Sequence, residues 1–160
     1  MPMFQISDFR EHQHHGPTIA ERVWNAWWRN AGHPVSDVER HVIEMADDRP
    51  LPMAVVAHGD MGYLGSAFLI HSDMDERPQY SPWVAAVWVE ASERRRGVGR
   101  ALIAKAAKIA ASLGYRVAYI CCRRELESFY SGIGWTIVEE AVGANRLSIL
   151  KLDLPERVDA

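Results

Sequence analysis

Trp83-Val84-Ala85-Ala86-Val87-Trp88-Val89-Glu90, then Arg94-Arg95-Arg96-Gly97-Val98-Gly99, then Arg100 to Leu113 (RALIAKAAKIAASL) decide how this chain folds. The first run is rich in β-branched and aromatic residues and predicts a strand. The last carries apolar residues at helical spacing and predicts a helix over 97–113, with Val98, Leu102, Ala106, Ile109 and Leu113 as its buried stripe. Gly114 ends it. Strand, basic glycine-bearing turn and helix together form a cradle for phosphate. The first amides of a helix lack intrahelical partners and the dipole is positive there. Glycine removes the Cβ that would block an anion. Arginine adds charge-assisted hydrogen bonds.

The phosphate compound can be narrowed by exclusion. A P-loop requires Lys-Ser/Thr after its last glycine, and Gly99 is followed by Arg100-Ala101. A dinucleotide fingerprint requires a third small residue where Leu102 stands. Arg-x-x-Gly-x-Gly remains, and a basic turn ahead of a surface helix would look the same.

The 160 residues suit a single domain, 1–160, with its own core. A net charge of −3 argues against a nucleic-acid binder, so the basic cluster is local. No apolar run is long enough for a membrane span. The start, MPMFQISDFR, has no apolar signal core, and a cytoplasmic location is expected. Cys121 and Cys122 are neighbours on a predicted strand, point to opposite faces and are expected unpaired, as in a reducing compartment. His12, His14 and His15 read as a solvated loop. No carboxylate or cysteine pattern supports a metal there, and none is expected.

Met3 to Asp8 predicts a first strand. Pro17 to Ala31 predicts a helix with Ile19, Val23 and Trp27 on one stripe, widened by Ala20, Trp24, Trp28 and Ala31. Ser36-Asp37-Val38-Glu39 reads as a capping box for a second helix, with Val38, Val42, Met45 and Ala46 inward. Strands follow at 53–58 and 61–71, joined through Gly59-Asp60. Residues 72–82 are a loop. After the long helix come a strand at 115–122, a short helix at 124–131, and a hairpin of 135–142 with 146–152. The crossover through the long helix makes strands 83–90 and 115–122 parallel. The expected class is α/β (α+β), a mixed, mainly antiparallel sheet flanked by helices.

This order, with Arg94-Arg95-Arg96-Gly97-Val98-Gly99-Arg100-Ala101-Leu102-Ile103 behind Val87-Trp88-Val89, resembles the GNAT superfamily of acetyl-CoA-dependent N-acetyltransferases. Phe129-Tyr130-Ser131-Gly132-Ile133-Gly134-Trp135 looks like that family's second signature. The resemblance spans roughly residues 3–153. It implies a central sheet whose parallel strands splay to admit acetyl-CoA as cosubstrate. Main-chain groups of Val87 and Val89 would pair with the pantetheine. Amides and side chains of Arg94, Arg95, Arg96, Gly97, Val98, Gly99 and Arg100 would hold the pyrophosphate. An amine, from a small molecule or a peptide, would attack the thioester directly, with Tyr130 as general acid for the departing CoA thiolate. Two positions depart from the family pattern: Arg123 stands where an Asn is common, and Trp83 where some members carry a Glu base.

His71, Asp73, Asp75 and Glu90 are open candidates for the base. Trp24, Trp27 and Trp28 line either the core or an acceptor pocket, and Trp83 faces one or the other. The competing readings are a non-catalytic acyl-CoA-binding domain with the same fold, and a nucleic-acid module using the arginines, which the overall acidity disfavours. Edge strands and the final hairpin offer surface for a homodimer.

Overall fold

A computed structural model describes residues 3–156. Its strands are β1 (Gln5–Asp8), β2 (Met53–Gly59), β3 (Gly62–Ile70), β4 (Trp83–Val89), β5 (Val117–Cys122), β6 (Thr136–Val142) and β7 (Leu147–Asp153). Its α-helices are α1 (Gly16–Val23), α2 (Val35–Glu44), α3 (Val98–Ser112) and α4 (Glu127–Gly132). The seven strands form one sheet in the order β1-β2-β3-β4-β5-β7-β6. β1 runs antiparallel to β2, and β7 runs antiparallel to both β5 and β6. β4 and β5 are parallel and meet at Trp83 opposite Tyr119. The expected mixed, mainly antiparallel sheet with a parallel crossover is therefore what the chain adopts.

By compactness the described residues divide into two units, one running to Phe68 and resuming over Ala86–Ala106, the other taking in Leu69–Ala85 and the residues from Ala107 onward. In the first, α1 contributes Ile19, Ala20 and Val23, α2 contributes Val38 and Val42, and Met45 follows just after α2, all buried. The β2 run Met53 to Ala57 is buried at every position. Such continuous apolar strands are covered on both faces. In the second unit, Trp83 is completely buried with Met74, Val142 and Ile149, and Ile70, Tyr80, Tyr119 and Leu147 pack against them. The Trp83 indole N–H donates to the Tyr80 carbonyl at 2.7 Å. Trp83 is thus a core residue.

Three local expectations need correction. The first helix does not continue to Ala31. It passes after Val23 into a π-helical turn, Trp24–Trp28, with Arg29 N–H donating to the Trp24 carbonyl. That wider turn carries the indoles off the α1 stripe, and none of the three tryptophans is buried. The capping box does not form: α2 starts at Val35 with Pro34 in the capping slot, so Ser36 lies inside the helix. In α3 the stripe starts as expected with Val98, Leu102 and Ala106, then continues through Ala110. Ile109 is half-buried and Leu113 is exposed, because Ile103, Ala107 and Ala110 broaden the buried face toward the other side. Among the described residues no helix is long and apolar enough to cross a membrane.

Candidate active site

The turn before α3 has the geometry of an anion cradle. Arg95 and Gly97 both adopt left-handed backbone, at φ 67° and 83°. Consecutive residues that alternate in hand turn their amides toward one side. Ala101 N–H donates to the Gly97 carbonyl at 3.0 Å, the first helical bond of α3. The amides of Val98, Gly99 and Arg100 precede it and have no helical acceptor. Gly99 is half-buried, and a Cβ added there would meet only Val89 Cγ2, at 3.5 Å. Arg94, Arg95, Arg96 and Arg100 are all exposed.

The arginines are not equivalent. Arg94 donates from Nε to the Val89 carbonyl at 3.0 Å, and its guanidinium lies 4.8 Å from the centre of the Trp88 ring. Arg96 faces Glu93 at 3.5 Å. Among the described residues Arg95 and Arg100 make no ion pair or side-chain hydrogen bond.

Val87 and Val89 lie half-buried in the last part of β4, just past Ala86, which has φ 51°. Left-handed backbone inside a strand interrupts its regular alternation and re-aims the side chains after it. Glu90 closes this stretch. Its amide donates to the Leu64 carbonyl at 2.9 Å, and its carboxylate accepts from Arg22 Nε and Nη2 and from the Trp88 indole. The Arg22 hydrogen bonds hold the Glu90 carboxyl below its ordinary value, despite partial burial. That makes Glu90 an ion-pair partner and a poor base. Sequence reasoning offered Glu90 as a base and did not anticipate Arg22, which lies too distant in sequence for any local pattern to reveal it. The indoles of Trp27 and Trp88 meet edge to face at 6.4 Å.

The second unit holds Tyr130 on α4. Its ring is fixed edge to face against Phe129 at 5.1 Å and Trp135 at 6.4 Å. The short helix ends on the Tyr130 carbonyl, which accepts from Trp135 N–H at 3.0 Å. Tyr130 is 7% exposed, and its hydroxyl bonds to no protein group among the described residues. Since no fully buried side-chain oxygen among the described residues is left without a partner, the hydroxyl keeps some access to solvent. Burial, and then the nearby thiols of Cys122 and Cys121, raise the phenol well above its usual range. It is fully protonated at neutral pH.

Cys121 and Cys122 are unpaired and alternate in burial as expected, with burial pushing the Cys122 thiol up to about 11. The Cys121 thiol donates to Asp73 Oδ2 at 3.2 Å. Protein crowding around the Asp73 carboxylate raises it to about 6, although the residue keeps access to solvent. Asp73 thus separates from the other base candidates. It borders a small cavity of about 200 Å³ lined by Met74, Asp75, Glu76, Val142, Asn145 and Leu147. Arg123, in the place of the usual Asn, is exposed, and its carbonyl accepts from Leu126 N–H at 2.9 Å.

Comparison with known proteins adds a family to this geometry. Of the solved structures, yncA from Salmonella typhimurium, determined with its cofactor acetyl-CoA, superposes at a TM-score of 0.74 over 99% of this chain and 98% of its own, at 17% identity. A protein from Desulfovibrio desulfuricans described as of the GNAT family gives 0.71 over 95% and 99%, at 16% identity. N-acetylglutamate synthase from Neisseria gonorrhoeae, bound to coenzyme A and N-acetyl-glutamate, gives 0.71 over 98% of this chain and 36% of its own, at 15% identity. At such identities the likeness concerns the fold. No curated protein matches the sequence significantly. The profile of the acetyltransferase (GNAT) family matches residues 16–135, a span that takes in α1, the basic turn and the Tyr130 signature, and the chain belongs to that family.

Proposed function

We propose that the protein transfers the acetyl group of acetyl-CoA to a primary amine, by direct attack within a ternary complex. Amides of the turn from Arg95 to Arg100 hold the pyrophosphate, with Arg95 and Arg100 as its main charge partners. Arg94 and Arg96 add to the local field. Main-chain groups of Val87 and Val89 pair with the pantetheine. The amine nitrogen bonds to the thioester carbon, and the C–S bond breaks as the tetrahedral intermediate collapses. Tyr130 gives its proton to the departing sulfur. Asp73 takes one proton from the incoming ammonium, so that the neutral amine attacks, and the second proton that nitrogen loses as the amide forms restores the Tyr130 phenol; a carboxylate near 6 is ionised at neutral pH and can receive the first.

The observation that carries this reading is the Tyr130 hydroxyl. It is held by a packed ring, always protonated, and without an internal partner. A hydroxyl that reaches solvent from a fixed ring is free to meet a bound ligand.

The test compares wild type with Tyr130→Phe. Acetyl-CoA at about 100 times its dissociation constant should stabilise both proteins by ~2.7 kcal/mol in thermal unfolding. CoA release across a panel of primary amines should fall by roughly 10²- to 10⁴-fold in the variant. Equal turnover would remove Tyr130 from the chemistry. Acetyl-CoA stabilisation of the wild type with no CoA release for any amine would favour an acyl-CoA-binding domain instead.

A further inference from the structure

The histidines near the start of the chain do not form a solvated loop. His12 is half-buried, His14 exposed, and His15 only 8% exposed. Two successive 3-10 turns, Phe9–Glu11 and Gln13–His15, fix the backbone between them. His12 N–H donates to the Phe9 carbonyl, and His15 N–H to the His12 carbonyl. Phe9 is buried and anchors the first turn. The loop is therefore built, and it gathers its imidazoles in one place.

One nitrogen from each of His12, His14 and His15 lies within 4.8 Å of the others. A fourth imidazole arrives from the end of β2: the His58 ring centre is 4.4 Å from that of His12 and 5.7 Å from that of His15. His58 Nε2 is hydrogen-bonded to Ser7 Oγ at 2.8 Å, which leaves Nδ1 for a further partner. Metal-bound histidines usually have their second nitrogen held in this way. Burial and mutual repulsion disfavour charge on His15 and His58. All of these residues belong to the same compact unit.

We propose that His12, His14, His15 and His58 form a binding site for a divalent transition-metal ion of the zinc class. An all-imidazole set suits zinc, cobalt, nickel or copper and not calcium or magnesium, which require oxygen. A tetrahedral ion bonds imidazole nitrogen at about 2.0–2.1 Å, which spaces its ligands roughly 3.3 Å apart. The nitrogens of His12, His14 and His15, now up to 4.8 Å apart, must close by up to about 1.5 Å, the His58 ring, 4.4 Å from that of His12, must turn to join them, and the exposed His14 gives the ion its way in. The site would tie the loop before α1 to the end of β2 without touching the acetyl-transfer machinery.

The test uses the full chain without an affinity tag, stripped with chelator and titrated with Co²⁺ and then Zn²⁺. The expected result is one Co²⁺ per chain with the visible absorption of tetrahedral coordination, displaced by one equivalent of Zn²⁺. The double variant His12→Ala/His14→Ala changes two side chains outside the core, and should fold while binding at least 100-fold more weakly. His71→Ala, at an exposed histidine elsewhere, should bind as the wild type does. Wild-type protein without stoichiometric binding, or a double variant that binds equally well, would overturn the proposal. So would a strong near-ultraviolet thiolate band, which would put the ion on the cysteines.

Discussion

Replacing Gly65 with alanine tests how β3 positions the strand proposed to receive the pantetheine. Gly65 is buried in β3, and a Cβ there would lie 2.6 Å from the Trp88 carbonyl oxygen, 3.2 Å from Leu102 Cδ1 and 3.3 Å from Val89 Cα. Two of these neighbours are backbone and cannot rotate away. The Trp88 carbonyl must withdraw by roughly 0.8 Å to reach ordinary contact at 3.4 Å. That motion pulls on the bond from Glu90 N–H to the Leu64 carbonyl, now 2.9 Å. Overpacking costs about 1–3 kcal/mol, and a weakened hydrogen bond adds ~0.5–1.5 kcal/mol. The sum is roughly 2–4 kcal/mol, which for a domain of this size lowers Tm by about 5–15 °C. Differential scanning calorimetry reads it directly. Acetyl-CoA affinity, measured below the transition, should fall as well, because Val89 moves with Trp88. A Gly65→Ala protein melting within about 1 °C of the parent would refute the close approach and with it the reason for glycine at this position.

Two further substitutions separate binding from chemistry. Gly99→Asp places a carboxylate beside the unpaired amides of α3, where the new Cβ meets only Val89 Cγ2 at 3.5 Å. The protein should keep its far-ultraviolet spectrum and lose its acetyl-CoA thermal shift, and a folded variant with a normal shift would dismiss the turn as the pyrophosphate site. Asp73→Asn should remove the acidic limb from the profile of kcat/KM, which in the parent should fall as pH drops through about 6. The same raised value predicts a stability effect of fixed sign. The folded protein holds the Asp73 proton more tightly than the unfolded chain, so its contribution is full below pH 3.8 and is lost as pH rises through about 6. Asp73→Asn should accordingly melt higher than the parent at neutral pH, and an unchanged acidic limb would exclude Asp73 as the base.

Much of this fold was legible because its signals are local. The spacing of Val98, Leu102 and Ala106 marks a helix, Gly59 and Asp60 mark a turn, and Gly114 marks a stop. The basic turn before α3 was legible for the same reason, since its glycines and arginines come from one short stretch. What could not be read depends on partners distant in sequence or on a change of helical pitch. Trp24, Trp27 and Trp28 keep the helical spacing in the sequence, but a π-helical turn widens the helix where they lie, and spacing then no longer reports direction. Ser36 begins a capping pattern, yet Pro34 fits the extended capping slot first, with ψ 155°. Glu90 reads as a free carboxylate until Arg22 is placed against it.

Arg94 shows the same limit inside the motif itself. In the sequence it is the first of three equal arginines, and charge alone would assign all of them to phosphate. In the fold its guanidinium covers Trp88 and bonds the Val89 carbonyl, while the Trp88 indole donates to Glu90 and Glu90 is held by Arg22. The chain of contacts runs from α1 through the end of β4 to the start of the turn. Its effect is mechanical as much as electrostatic. It fixes Val89 relative to the turn that opens α3, so the strand proposed to pair with the pantetheine and the amides proposed to hold the pyrophosphate are set at one spacing. A ligand that must meet both at once gains from that rigidity, because the ordering is complete before it arrives. Arg94 is therefore better understood as the fastening between the end of β4 and the turn before α3 than as a third arginine free for the proposed phosphate.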